Sequence, residues 1–214
     1  MSYERIKRDW EGQTAVIFAS GPSVSKKDID LVGAAHDAGR CKVIAINAMY
    51  QKVEYADLLY FCDFKFYKWH AIDEPDPRFL RYPAPKYSIT PERFLPPDIR
   101  RLKRGEPYGL SRAPDTLNHG SNSGYQCLNL AYLKGCPRIV MVGYDMKIGE
   151  DGKTHCHDPH HIPTPPDVYD NISKAGYFES IATELYEEGV EVINTSIDSA
   201  LHCFTKMPLE CIIF

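Results

Sequence analysis

Four of the eight histidines fall within twelve residues, in "GKTHCHDPHHIP" (152–163). His155, His157, His160 and His161 are interleaved there with Cys156 and Asp158. Histidine titrates near neutrality, so any of the four suits a general base. Imidazole, thiolate and carboxylate together are also metal ligands. A His-x-His pair chelates only from extended backbone and matches no zinc signature, so catalysis or substrate contact is the better reading and no metal site is expected. A solvated polar loop is the plain alternative. Cys156 as a nucleophile lacks a visible activating partner.

A second set of candidates consists of short polar clusters that follow apolar runs. Ser20, Gly21, Pro22 and Ser23 follow "TAVIFA" (14–19), Asn47 follows "KVIAI" (42–46), and Asp63 follows "ADLLYFC" (56–62). Tyr144 and Asp145 come after "RIVMVG" (138–143), and Thr195 and Ser196 after "VEVIN" (190–194). Asn122, Ser123 and Gly124 open a helical pattern. Helix-terminal N–H groups and glycine turns are what a phosphate needs: free donors, a partial positive charge and close backbone approach. The same residue types also serve plain turns and caps. Each cluster alone reads first as capping; together at one sheet edge they read as an anion or nucleotide pocket. Ser20-Gly21-Pro22-Ser23 is not the full G-x-G-x-x-G fingerprint, and there is no Walker A sequence.

The elements that must position these residues are legible in outline. The compact β-branched runs predict strands buried on both faces. Ser25 with Asp28 forms a capping-box pattern ahead of Ile29 and Val32. "SNSGYQCLNLAYLKG" (121–135) predicts a helix with N-cap candidates at one end and Gly135 at the other. A third helix is predicted over 167–189, with Val168, Ile172, Ala175, Phe178, Ile181 and Leu185 on one stripe. Alternating strands and helices predict an α/β fold, a single Rossmann-like and mostly parallel sheet with helices on both faces. In such a sheet the carboxyl ends of the strands share one edge, where ligands bind.

Two stretches break the alternation. Residues 73–118 hold nine prolines, and within 78–107 there are eight Lys or Arg against three acids. A solvated insertion covering the pocket accounts for this segment better than a docking surface. The histidine loop, 147–167, is the second. Irregular stretches longer than about 12–15 residues are usually functional or disordered.

The chain of 214 residues suits one domain over 1–214. Its net charge of −4 gives no global pull toward nucleic acid or membrane. Seven cysteines without C-x-x-C spacing, several inside apolar runs, read as reduced thiols. No apolar run reaches the roughly 18 residues of a membrane span, and "MSYERIKRDWEG" lacks a signal-peptide core. A soluble, cytoplasmic protein is expected, with oligomeric state open.

The blocks "ASGPSV", "INAMY" and "SNSGYQCLNLAYLKGCPRIVMVGYDM", followed by a histidine-containing loop, occur in the order seen in bacterial sialyltransferases of glycosyltransferase family 42. The chain also resembles motility-associated flagellin glycosyltransferases and archaeal 6-hydroxymethylpterin pyrophosphokinases. It also resembles phage and prophage proteins of that superfamily, from Trp10 and Gly12 to "ALHCFTKMPLE" (200–210). The resemblance implies a Rossmann-like domain that binds a nucleotide or nucleotide-sugar. By position, Gly21, Pro22 and Ser23 would hold phosphate or ribose, Asn47 would lie near the donor, and Ser123 and Gly124 would contact the nucleotide. Tyr144 would donate to the leaving phosphate, and a histidine of the loop would deprotonate an acceptor hydroxyl. The chain departs from the family at Ala19, where the turn carries glycine, and at Met146, where the enzymes carry an aromatic residue.

The expectation is therefore a metal-independent, glycosyltransferase-like enzyme acting on an unidentified acceptor, with no cofactor beyond its nucleotide-sugar donor. Two alternatives stay open. One is pyrophosphoryl transfer from ATP, with Mg²⁺ held by Asp63 or Asp145. The other is a non-catalytic nucleotide-binding or phage accessory protein.

Overall fold

A computed structural model describes residues 3–91, 95–149, 152–156, 167–212 and 214. Strand β1 (Thr14–Phe18) leads through α1 (Lys26–Asp37) to β2 (Cys41–Ile46), a 3₁₀ turn (Asn47–Gln51) and β3 (Leu58–Tyr60). Short helices α2 (Phe64–Lys68) and α3 (Pro77–Leu80) precede β4 (Lys86–Ser88) and β5 (Ile99–Arg101). A two-residue pair, β6 (Lys103–Arg104) and β7 (Thr116–Leu117), precedes α4 (Ser123–Lys134) and β8 (Arg138–Val142). Then follow α5 (Val168–Lys174), α6 (Tyr177–Glu187), β9 (Glu191–Asn194) and β10 (Thr205–Lys206).

Eight strands form one sheet in the order β10-β9-β8-β1-β2-β3-β4-β5. All of its pairings are parallel, and Val16 lies in register with Val43 on one side and Val140 on the other. The chain walks outward from β1 to β5, then returns to place β8 against the free side of β1. Right-handed crossovers in opposite directions put their helices on opposite faces, so β1 and β8 flank the topological switch point. Side-chain alternation serves both faces. Ala15, Ile17, Ile44, Ile46, Ile139 and Met141 share a core with α4 and α6, whereas Val16, Phe18, Val43, Ala45, Val140 and Val142 share one with α1.

The helix signals act as the residues suggest. Both bonds of the Ser25–Asp28 capping box are present. Asn122 is the N-cap of α4, and Gly135 ends it in the left-handed region at φ 95°. The stripe over 167–189 is divided between two helices, because Gly176 adopts φ 69° and starts α6 afresh.

The segment 73–118 is not an irregular insertion. It supplies α3, adds β4 and β5 to the edge of the main sheet, and forms the β6–β7 pair. Its remainder is tied to α4 by Asn129, which is fully buried. The Asn129 amide donates to the Ser111 carbonyl (2.9 Å) and accepts from the Ser111 and Asn118 N–H groups (3.0 and 3.1 Å). This covering, with Ile6 and Trp10 of the N-terminal segment, is why α4 is buried on nearly every side. All seven cysteines are free. Among the described residues no helix is long and apolar enough to cross a membrane.

Candidate functional site

The carboxyl edge of the sheet opens into a cavity of about 950 Å³ over the switch point. Its wall gathers Ser20, Gly21, Pro22, Asn47, Asp63, Asn122, Ser123, Gly124, Tyr144, Asp145 and His155. Ser23 lines an adjoining cavity instead. His157, His160 and His161 lie outside the described residues.

The two turns at the switch point lock together. The Gly21 N–H donates to the Gly143 carbonyl (2.9 Å), and the Ser23 hydroxyl donates to Asp145 Oδ2 (2.8 Å) while standing 2.9 Å from the Ser196 hydroxyl. A Cβ on Gly21 would fall on the Asp145 carboxylate and the Gly143 carbonyl, so the close approach itself demands glycine. Asp145 is buried; that burial pushes its carboxyl up, against the hydrogen bonds from Ser23. Its Oδ2 already accepts from Ser23, so Asp145 acts as a tether between strand ends.

The helix mouth is similarly committed. Asn122 Oδ1 accepts from the Gly124 N–H (2.7 Å) and the Tyr125 N–H (3.2 Å), consuming two of the amides that a phosphate would seek. The Tyr144 ring fills the space that a Cβ on Gly124 would need, 2.7 Å from its Cε1. The Tyr144 hydroxyl donates to the Gly124 carbonyl (3.1 Å), and complete burial holds its pKa well above the ordinary value. The Gly124 amide and the Tyr144 hydroxyl, which the family resemblance would turn toward the ligand, are here bonded within the wall they build. The Ser123 hydroxyl donates to Cys62 Sγ (3.0 Å). Burial, reinforced by Asp63, pushes the Cys62 thiol up to about 12, so it stays protonated.

His155 is delivered to the cavity by the β1 turn. Its Nδ1 lies 3.3 Å from the Ser20 hydroxyl, and the neighbouring Cys156 N–H donates to the Ser20 carbonyl (2.9 Å). Cys156 packs its sulfur 3.6 Å from that of Met49, and burial raises its pKa, which argues against a nucleophile.

Asn47 differs from these. It begins the turn after β2 at φ 50°, and its buried Oδ1 has no hydrogen-bond partner among the described residues. The other two non-glycine residues described in the left-handed region, Ser121 (φ 51°) and Met146 (φ 49°), line the same cavity. Backbone strain concentrates at functional sites because surrounding packing must hold it there.

The sequence does not single out Lys103, Arg104 or His119, which also line the cavity. Arg104 Nη2 lies 3.3 Å from His119 Nδ1, which accepts the Ser121 N–H at 3.2 Å. Burial and the Arg104 charge hold His119 below the ordinary imidazole value, and these contacts put its remaining proton on Nε2. The cation excess of 78–107 is the signal that could have found this wall. Among the described residues no three His, Cys, Asp or Glu side chains converge to hold a metal.

Sheet order, switch point and cavity define an α/β protein of Rossmann-like topology. No family model, curated protein or solved structure matches the chain.

Proposed function

We propose that this protein is a nucleotide-dependent transferase of glycosyltransferase type, binding a nucleotide-activated sugar over the switch point with His155 as general base. The observation that carries the reading is Asn47: a strained residue with a buried, unpartnered acceptor, on a cavity that collects the strained backbone of the described chain. Unpaired buried acceptors cost about 1–3 kcal/mol, and a ligand N–H or O–H would satisfy this one. Lys103, Arg104 and Lys147 bring positive charge to the same walls, as a diphosphate or monophosphate leaving group requires.

In this scheme the acceptor oxygen bonds to the anomeric carbon as that carbon's bond to the phosphate oxygen breaks. The hydroxyl proton passes to His155, which Ser20 holds in place, and the phosphate leaves with the electron pair toward the cations. Tyr144, Gly124, Asn122 and Asp145 act as positioning residues.

The test is thermal stabilisation by CMP, CTP, UDP, GDP and ATP, each with EDTA or Mg²⁺. Ligand at 100 times its Kd adds about 2.7 kcal/mol. A shift in EDTA that is lost in Asn47→Gly supports the proposal. A shift only with ATP and Mg²⁺ replaces it with pyrophosphoryl transfer, and no shift with any nucleotide replaces it with a non-catalytic role.

A further inference from the structure

The segment that precedes β1 is fastened to the domain at several points. The Glu4 N–H donates to the Arg101 carbonyl of β5 (2.8 Å), the Ile6 N–H to the Pro114 carbonyl (2.6 Å) and the Trp10 N–H to the Lys134 carbonyl at the end of α4 (3.0 Å). Ile6 and Trp10 are buried. Lys134, also buried, pairs with Asp9 (3.0 Å), and its Nζ lies 5.2 Å from the Trp10 ring centroid. A strap held this firmly fixes the residue at its head. That residue is Tyr3, which lines the cavity over the switch point. An exposed tyrosine alone signifies nothing; this one is set apart by its place and its bracing. Lys103 Nζ lies 5.5 Å from the Tyr3 ring centroid and pairs with Asp115 (2.8 Å), yet Tyr3 remains 43% exposed. The other two tyrosines of the cavity wall are more committed. Tyr144 is 2% exposed, and Tyr169 is half-buried with its hydroxyl donating to the Thr154 carbonyl (3.3 Å).

We infer that Tyr3 is the platform on which the nucleobase stacks, delivered to the cavity by the strap 4–10. The inference rests on the transferase reading above and adds the seat of the base to it. The carboxyl edge then reads in order across the sheet. His155 stands at the β1 turn through Ser20, the unpartnered Asn47 acceptor follows β2, and Tyr3 stands beside Lys103, just past β5. Four inter-strand steps separate β1 from β5, about 19 Å at ~4.8 Å each, a span for an extended nucleotide-sugar with its reacting carbon at one end and its base at the other. Ile89 and Leu102, which follow β4 and β5, line the cavity and give that far end an apolar floor. An aromatic face accepts every base, so Tyr3 supplies affinity and position and leaves the choice of base to other groups.

The experiment measures binding of CMP, UDP, GDP and ATP, each in EDTA, to the full chain by calorimetry, with ribose 5-phosphate as the ligand that lacks a base. Wild type is compared with Tyr3→Leu, Tyr3→Phe and Tyr3→Trp. Tyr3→Leu is expected to melt within about 2 °C of wild type and to weaken whichever nucleotide binds by about 5- to 140-fold. Tyr3→Phe should stay within about twofold of wild type, and Tyr3→Trp should bind at least as tightly, because both keep an aromatic face. Ribose 5-phosphate should not distinguish wild type from Tyr3→Leu. Nucleotide affinity that stays within about twofold in Tyr3→Leu overturns the inference, as does a loss that Tyr3→Phe shares in full. Weaker ribose 5-phosphate binding in Tyr3→Leu overturns it too, since the ring would then serve the sugar phosphate. If no nucleotide binds wild type, the transferase reading fails and takes this inference with it. Nucleotide binding that ignores Tyr3 sinks this inference alone.

Discussion

Asn47→Gly is expected to make the protein more stable and less able to bind. Asn47 holds φ 50° directly after β2, and the left-handed region costs a side-chain-bearing residue about 1 kcal/mol. Its buried Oδ1 has no partner among the described residues, a further cost of about 1–3 kcal/mol. Glycine removes both and adopts the same φ freely. Against this stands the greater freedom of glycine in the unfolded chain, about 0.5–1 kcal/mol. The balance is a gain of about 1–3.5 kcal/mol, or roughly 2–14 °C in Tm for a domain of this size. Urea denaturation and thermal melting of the ligand-free protein measure it. The same variant should lose about tenfold or more in nucleotide affinity, because the ligand donor no longer meets an acceptor. A variant less stable than wild type by more than about 1 kcal/mol would mean that Oδ1 is already satisfied in the folded protein, refuting the strain argument. Higher stability with unchanged nucleotide affinity would keep the strain and detach it from binding.

Three further outcomes follow from the same geometry. Gly21→Ala drives a Cβ into the Asp145 carboxylate and the Gly143 carbonyl, and should cost about 1–3 kcal/mol in urea denaturation; a loss under about 0.5 kcal/mol would show that the turn has room. Burial raises the folded pKa of Asp145 above its ordinary 3.8, so its contribution to stability is full at low pH and is lost as pH rises through the folded value. Asp145→Asn removes that loss. Wild type should therefore lose stability relative to the variant as pH rises above about 4, and a constant difference would contradict the burial. Cys62 and Cys136, each pushed up to about 12 by burial, should resist alkylation at about pH 8 while exposed Cys211 is labelled; prompt labelling of Cys62 in the native state would contradict its protonated setting.

The central strands are legible because a strand covered on both faces needs an unbroken apolar run, and β1, β2 and β8 supply one. The strands β4 and β5 at one end of the sheet are not, since "KYS" and "IRR" carry no such run. Their fit to the sheet comes from tertiary partners instead. Lys86 lies over the Phe79 ring (5.7 Å), and Arg100 and Lys134 approach the Tyr87 ring (5.3 and 5.7 Å). Those pairings join residues distant in sequence, so no local pattern announces them. The break at Gly176 is hidden for another reason: Ile172 and Phe178 face the same core from either side of it, and the apolar period survives the interruption.

The polar clusters present a harder problem, because a turn residue that holds scaffold and one that holds ligand are the same amino acids. What separates them is whether their hydrogen-bonding capacity is consumed, and that is a three-dimensional quantity. Asn122 and Asn47 are both asparagines at the carboxyl edge of the sheet. One Oδ1 takes two amides of α4; the other, at a left-handed residue, takes none among the described residues. Ser23 and Tyr144 likewise direct their hydroxyls into Asp145 and Gly124. The sequence thus brings these clusters to one sheet edge but does not tell which of their side chains are consumed by the scaffold. The reverse error applies to Lys103 and Arg104. Their segment reads as solvated charge, yet pairing with β7 turns that short strand into a wall of the cavity. Charge on an edge strand becomes a binding feature only through the neighbour that fixes it, and here that neighbour leads directly into the cap of α4.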